Sequence, residues 1–317
     1  MQWMLLVLFY GVSKGVREVL KKKAMTVNSM MDVLIFYTFL SFLMVVPTAP
    51  KAFGMETKFY FYIALKSLCI FVAWIFSFKA IAKLPMSLYG VLDLSRVLFS
   101  TFMGIIFLQE ALSGHQMIGL LLVSTGLLLL RYRPAFLNKL FLAADKRIYK
   151  DLPLSNDNVN VPGENIKAEA KAEKQTAVKT TIYVLMAFVS CLLNGVSGTM
   201  DKVLMKDLTS TQLQFWYMLF LMIYYILYLL ITRTKINKSV FKNGWVWALA
   251  VLFVVADRAL FIANADPASK VTIMTLIKQS GAIVTILAGK YIFKERNISD
   301  KLFCAVMIII GIAIGVM

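Results

Sequence analysis

Arg96 and Lys278 lie near the middle of long apolar runs, Asp93 stands one helical turn before Arg96, and Asp257 and Arg258 sit inside a third run. An ionisable side chain deep in hydrocarbon costs about 2.5–3.5 kcal/mol on insertion scales, so it faces a partner or a polar cavity rather than lipid. Taken together, Asp93, Asp257, Arg96, Arg258, Lys278 and Lys66 contain more cations than carboxylates. An unbalanced buried cation is costly, and the excess points to an anionic or zwitterionic ligand. Arg96 and Lys278 would hold its negative group, and Asp93 and Asp257 its amine or a coupling proton. The alternative is that these side chains only satisfy one another, Asp93 with Arg96 at helical spacing and Asp257 with Lys278 between helices.

A second set, Lys14, Arg17 and Glu18 near one run's end, is answered by Asp201 and Lys202 near the end of another. Glu18, Asp201 and Lys14 are candidates for gating or ion coupling, with interfacial anchoring as the plainer alternative. Lys66 and Lys79 lie nearer the ends of their run, where long side chains can snorkel to water. Of the aromatics Trp74, Tyr89, Trp216, Tyr217, Tyr224 and Tyr225, Tyr89 and Trp74 are candidates to stack on a planar or cationic ligand group. Gly11-Val-Ser-Lys-Gly15 fits the hydrolase pattern GxSxG, which needs a strand-turn-helix context or a neighbouring histidine. The single histidine, His115, starts a helix beside a loop, so the glycines read as packing sites and the chain as no enzyme. Cys69, Cys191 and Cys304 are isolated in apolar runs, so neither a disulfide framework nor a metal site is expected, and no cofactor motif is present.

These residues need apolar elements to carry them. The chain has 317 residues, 60% hydrophobic and 16% charged, with a mean hydropathy of +0.75. Soluble domains average about 45–50% apolar and about 25% charged. The composition therefore makes lipid the solvent, where only helices and closed barrels satisfy the backbone. The runs are too long for barrel strands and predict an all-α membrane protein of ten transmembrane helices, at 3–20, 30–49, 59–81, 87–108, 115–131, 181–201, 210–232, 244–263, 271–292 and 301–316. No basic residue precedes the first run and Lys21, Lys22 and Lys23 follow it, so it reads as a retained helix. The basic and polar stretch 132–179 is a linker. Phe136–Ile148 has the spacing of a surface amphipathic helix, and Pro153–Lys179 the composition of a flexible tether. The net charge of +17 falls mostly in short segments between the runs, the pattern of topology determinants rather than of a nucleic-acid face.

Two halves, 1–131 and 180–317, repeat at an offset of about 184 residues. Gly11-Val-Ser recurs as Gly195-Val-Ser, Leu84-Pro85-Met86-Ser87 as Asp266-Pro267-Ala268-Ser269, and Phe107-Leu-Gln-Glu110 as Ile292-Phe-Lys-Glu295, with Gly126 and Gly311 at the same interval beyond. Five spans per half turn the second copy over, giving two inverted five-helix repeats, which in secondary transporters place a site near the midplane. Anchored on Glu110 and Glu295, Asp93 and Lys278 are equivalent positions on the fourth and ninth spans. Glu110 and Glu295 themselves read as loop or capping residues. Lys21–Lys23, Lys83, Arg233, Lys235, Lys238, Lys242, Lys294, Arg296 and Lys301 fall on the linker's side, which the positive-inside rule makes cytoplasmic, with both termini outside.

The stretch Ala80-Ile-Ala-Lys-Leu-Pro-Met-Ser87, Phe107-Leu-Gln-Glu110, Gly119 and Leu121–Gly126, with its second copy from Ala263 through Glu295 to Gly311, resembles the repeat of the drug/metabolite transporter superfamily, EamA-like branch. The resemblance covers nearly the whole chain. It implies a ten-helix, multi-pass cell-membrane transporter of a small-molecule solute in the lipid bilayer, with both termini commonly cytoplasmic, opposite to the charge distribution. Many relatives carry a proline in the fourth helix of each repeat, where this chain has Asp93-Leu-Ser-Arg96 and Lys278-Gln-Ser-Gly281. The expectation is a secondary transporter of an anionic or zwitterionic, amino-acid-like metabolite by alternating access, with possible proton or ion coupling. Its cavity would be lined by spans three, four, eight and nine. The rivals are a non-transporting receptor or scaffold subunit and a flippase of an anionic lipid-linked carrier. Gly311-Ile-Ala-Ile-Gly315 suits close helix packing within a monomer or across a homodimer.

Overall fold

A computed structural model describes residues 2–109, 113–132, 166–233, 236–295 and 299–316. Among them every regular element is helical: α1 (Gln2–Ala24), α2 (Met30–Val45), α3 (Thr57–Lys83), α4 (Met86–Asp93), α5 (Arg96–Leu108), α6 (Gly114–Tyr132), α7 (Ile166–Leu204), α8 (Ser210–Thr232), α9 (Gly244–Ala265), α10 (Val271–Lys278), α11 (Ser280–Tyr291) and α12 (Ser299–Val316), with short 3-10 turns at Val46–Lys51 and Lys238–Lys242. The expected amphipathic segment Phe136–Ile148, together with Glu110, Lys235 and Arg296, lies outside the described residues.

Local chemistry sets the boundaries. Ser29 caps α2 by accepting from Asp32 N–H, and Thr209 caps α8 in a reciprocal capping box with Gln212, each satisfying amides that a helix start leaves open. Among the described residues seven stretches are long and apolar enough to cross a membrane: Met30–Lys51, Thr57–Lys83, Met86–Leu108, Thr180–Leu204, Ser210–Thr232, Gly244–Ala265 and Val271–Tyr291. Lys14, Arg17 and Glu18 interrupt the apolar stretch of α1, and all three are buried.

Two expectations are corrected. Residues 166–179, expected as part of a flexible tether, belong to α7, which has 39 residues. Alanines and alternating charges favour helix once an apolar segment continues it. The segments 87–108 and 271–292, expected as single spans, are each broken. After Asp93 the backbone switches to i→i−3 bonding, Leu94 N–H to Val91 O at 3.1 Å and Ser95 N–H to Leu92 O at 3.0 Å. After Lys278, Gln279 N–H reaches Leu276 O at 3.0 Å and Ala282 N–H reaches Gln279 O at 2.8 Å. Each break is thus one tightened, 3-10-type turn between two α-helical segments. The breaks fall at the positions equivalent by sequence, with no proline at either.

Packing brings the breaks to the centre. α4 lies on α11 and α5 on α10. Glycines let α1 cross α10 and α11 closely: a Cβ on Gly11 would stand 3.0 Å from Lys278 O, and one on Gly15 2.7 Å from Val284 Cβ. Gly195 brings α7 onto α5 in the same manner, 3.3 Å from Phe99 Cβ. The GxSxG glycines are packing residues, as expected. Gly311 packs within the chain, a Cβ there standing 2.9 Å from Gly119 O of α6. An aromatic core of Tyr37, Trp74, Phe78, Tyr217, Phe253 and Phe261 joins α2, α3, α8 and α9.

Candidate functional site

α1 carries Tyr10, Lys14, Arg17 with Glu18, and Lys21 as one stripe at helical spacing, and this stripe forms a wall of a central cavity. α3 adds Lys66 and Trp74, α5 adds Arg96, α7 adds Asp201, α9 adds Asp257 and α10 adds Lys278. The space is about 80 Å3, enough for a handful of waters.

Six cations face this space, Lys14, Arg17, Lys21, Lys66, Arg96 and Lys278, against the carboxylates Glu18, Asp201 and Asp257. Asp93 lies just behind and is held by Lys14 and by Arg96, the latter at 2.9 Å. Arg17 pairs with Asp257 at 3.1 Å, Lys21 with Glu18 at 2.9 Å and Lys66 with Asp201 at 3.0 Å. Aromatic faces shield several cations: Lys66 Nζ is 3.6 Å from the Tyr217 ring centre, Lys21 Nζ 4.9 Å from Phe78, and Arg17 5.2 Å from Phe253.

Lys278 is the exception. Among the described residues it has no carboxylate within ion-pair distance, and its ammonium lies 5.7 Å from the Tyr10 ring centre. Arg96 Nε is also buried without a hydrogen-bond partner among the described residues. Four carboxylates balance four of the six cations, and the surplus sits at the two breaks.

Of the expected site residues, Arg96, Lys278, Asp257, Trp74, Glu18, Asp201 and Lys14 line the cavity, and Asp93 touches two that do. The Asp93–Arg96 pair forms as its spacing predicts. Three expectations are corrected. Asp257 pairs with Arg17, not Lys278, because α1 packs along α9. Arg258, next along α9, projects from another face and donates to Gln214 Oε1 at 3.0 Å and Thr211 Oγ1 at 2.7 Å. Tyr89 is buried one layer away, its hydroxyl 2.8 Å from Ser77 Oγ. Besides the helices expected to line it, α1 and α7 contribute walls. Lys21, which the sequence marks only as a topology charge, lines the cavity, as do Arg17 and Lys66, for which an interfacial position was the plainer alternative. The signal for the α1 residues was their common stripe, which a helix ending in interfacial anchors does not need. Lys79 lies away from the cavity, in a cleft with Lys83 and Tyr183.

A bundle of apolar helices with its charges turned inward defines a multi-pass membrane protein. The family model of the EamA-like transporter family matches residues 1–132 and 181–317. The chain belongs to that family, within the drug/metabolite transporter superfamily, whose members are membrane transporters of small-molecule solutes rather than enzymes. None of the curated proteins matches. A protein known from a crystal structure shares the fold with a TM-score of 0.63 at 11% sequence identity, over 98% of this chain and 95% of the other.

Proposed function

We propose that this chain is a secondary transporter of a small anionic or zwitterionic metabolite, amino-acid-like in size, working by alternating access in the cell membrane. The observation that carries the proposal is the surplus of cations at the helix breaks, above all Lys278, which among the described residues has no carboxylate within ion-pair distance. A substrate carboxylate or phosphate would supply the missing charge. A metabolite needs more than the present 80 Å3, so the ion pairs lining the cavity rearrange when it binds.

The architecture we infer is ten spans in two inverted five-helix repeats, 1–131 and 180–317, joined by the linker 132–179. α4 with α5 forms one span, as does α10 with α11. Three parallels support it: the breaks after Asp93 and Lys278, the caps Ser29 and Thr209, and Lys22 and Lys202. Lys22 donates to Leu84 O at 2.9 Å, while Lys202 donates to Asn264 O at 3.0 Å and Asp266 O at 2.8 Å. Discontinuous helices at the midplane are a common means of presenting polar groups to a transported solute. Glu18 and Asp201, each beside a cavity lysine, are the candidates for ion coupling. The positive-inside rule puts the lysine-rich end in the cytoplasm.

Uptake by purified protein in liposomes, against a panel of organic anions, amino acids, neutral sugars and amines, tests the proposal. Arg96→Ala and Lys278→Ala should each abolish uptake of the accepted anion while keeping expression and detergent stability. Normal uptake by both variants sinks the assignment.

A further inference from the structure

We propose that Glu295 is a gating residue: its carboxylate latches the lysine-rich end of the transport pathway by holding the N-terminus of α4, and α4 links that latch to Asp93. Glu295 follows α11 in the half matched from residue 181, whereas α4 belongs to the half matched up to residue 132, so the contact closes one half on the other. The carboxylate accepts from Met86 N–H, from Ser87 N–H at 3.1 Å and from the Ser87 hydroxyl. Lys22 Nζ approaches it to 3.8 Å.

The chemistry suits a latch. The first amides of a helix lack intrahelical acceptors, and Pro85 at the N-cap gives no side-chain hydrogen bond, so the acceptor comes from across the bundle. A carboxylate also meets the positive end of the helix dipole there. Gly289 makes room for the clasp: a Cβ at that position would stand 3.1 Å from Ser87 Cβ and 3.2 Å from Glu295 Oε2.

α4 is short and stiff. It has 8 residues, roughly 12 Å of helix at 1.5 Å per residue. Its last residue, Asp93, is held by Lys14 and Arg96, and the i→i−3 turn at Leu94 and Ser95 follows it. The helix is therefore a rod with an ionic clamp at each end and a hinge beside the inner clamp. An anion that draws Lys14 or Arg96 away from Asp93 loosens the inner end, and release of Glu295 frees the outer one. This inference rests on the alternating-access proposal above.

The test is sided cysteine labelling without added solute. Ser77, which lines the cavity, is changed to cysteine in a chain whose Cys69, Cys191 and Cys304 are serine, and a membrane-impermeant thiol reagent is applied to either face of sealed vesicles. Glu295→Ala should raise labelling from the lysine-rich face about tenfold and lower it from the other face, as expected when several charge-assisted hydrogen bonds are lost from one of two states. Asp93→Asn should shift labelling in the same direction by a smaller factor. Glu295→Gln, which keeps a neutral acceptor, should fall between wild type and Glu295→Ala, and it carries the test if the alanine variant does not fold. Unchanged labelling with a wild-type melting temperature overturns the latch, as does an equal rise from both faces, which marks general loosening. The two proposals fail separately. A chain that loses its response to anions in Lys278→Met yet keeps its sidedness in Glu295→Ala contradicts only the latch. A sidedness shift without any response to anions contradicts only the substrate.

Discussion

The break after Asp93 and the break after Lys278 share a backbone and differ in charge. Asp93 is clamped by Lys14 and Arg96; Lys278 has an aromatic ring and no carboxylate partner among the described residues. The lesson is that similar helix turns can carry unlike charge arrangements, one carboxylate held by two cations and one cation left without a carboxylate among the described residues. α1 and α7 differ in the same direction: α1 brings Lys14, Arg17, Glu18 and Lys21 to the cavity, whereas α7 brings Asn194, Ser197, Gly198 and Asp201. The related helices divide the charge unequally.

Four changes test that contrast. The largest effect is expected from Lys278→Met, which removes one of the two surplus cations without opening a cavity. Anion uptake in liposomes should fall by at least about a hundredfold, while the melting temperature holds or rises, because an unpartnered buried charge is a burden on stability. Arg17→Ala should behave in the opposite way, since it strands Asp257. Breaking a buried pair by removing one partner costs about 3–5 kcal/mol, read as a large fall in melting temperature or in the urea midpoint. Gly281→Val probes the crossing rather than the charge. A Cβ at this position would stand 3.0 Å from Gly15 N, and overpacking of this kind costs about 1–3 kcal/mol by the same measurement. Arg258→Gln should do least. Its guanidinium binds Thr211 and Gln214 away from the cavity, and uptake should stay within about twofold of wild type, in the range of a partly exposed hydrogen bond.

Much of the fold was legible because the membrane imposes a simple code. Apolar length marked the long helices, seven of which among the described residues could cross a membrane, and the family model matches on either side of the polar stretch, at 1–132 and 181–317. The Asp93–Arg96 pair followed from i,i+3 spacing, and Glu295 proved to be a capping residue, as its place at a helix end suggested. The breaks were not legible. Asp93-Leu-Ser-Arg96 and Lys278-Gln-Ser-Gly281 carry no proline, the usual mark of a kink, and the helices packed there come from far along the chain, α1 through Gly11 at Lys278 and α7 through Cys191 at Leu92. Nor was the partner of Asp257. Helical periodicity says which residues share a face but not which face meets α1, so Asp257 and Arg258, adjacent in sequence, part company in space.

The central claim is that the cavity is built for a negative group that completes the charge balance at Lys278. The most direct measurement is a thermal-shift comparison of wild type and Lys278→Met in detergent, with small organic anions, amino acids, neutral sugars and organic amines. A ligand that binds only the folded state raises the melting temperature in proportion to its occupancy. The account predicts a rise in wild type with at least one anion or amino acid, none with amines, and loss of that rise in Lys278→Met. A rise with amines alone, or an equal response of the two proteins to the same anion, would contradict it.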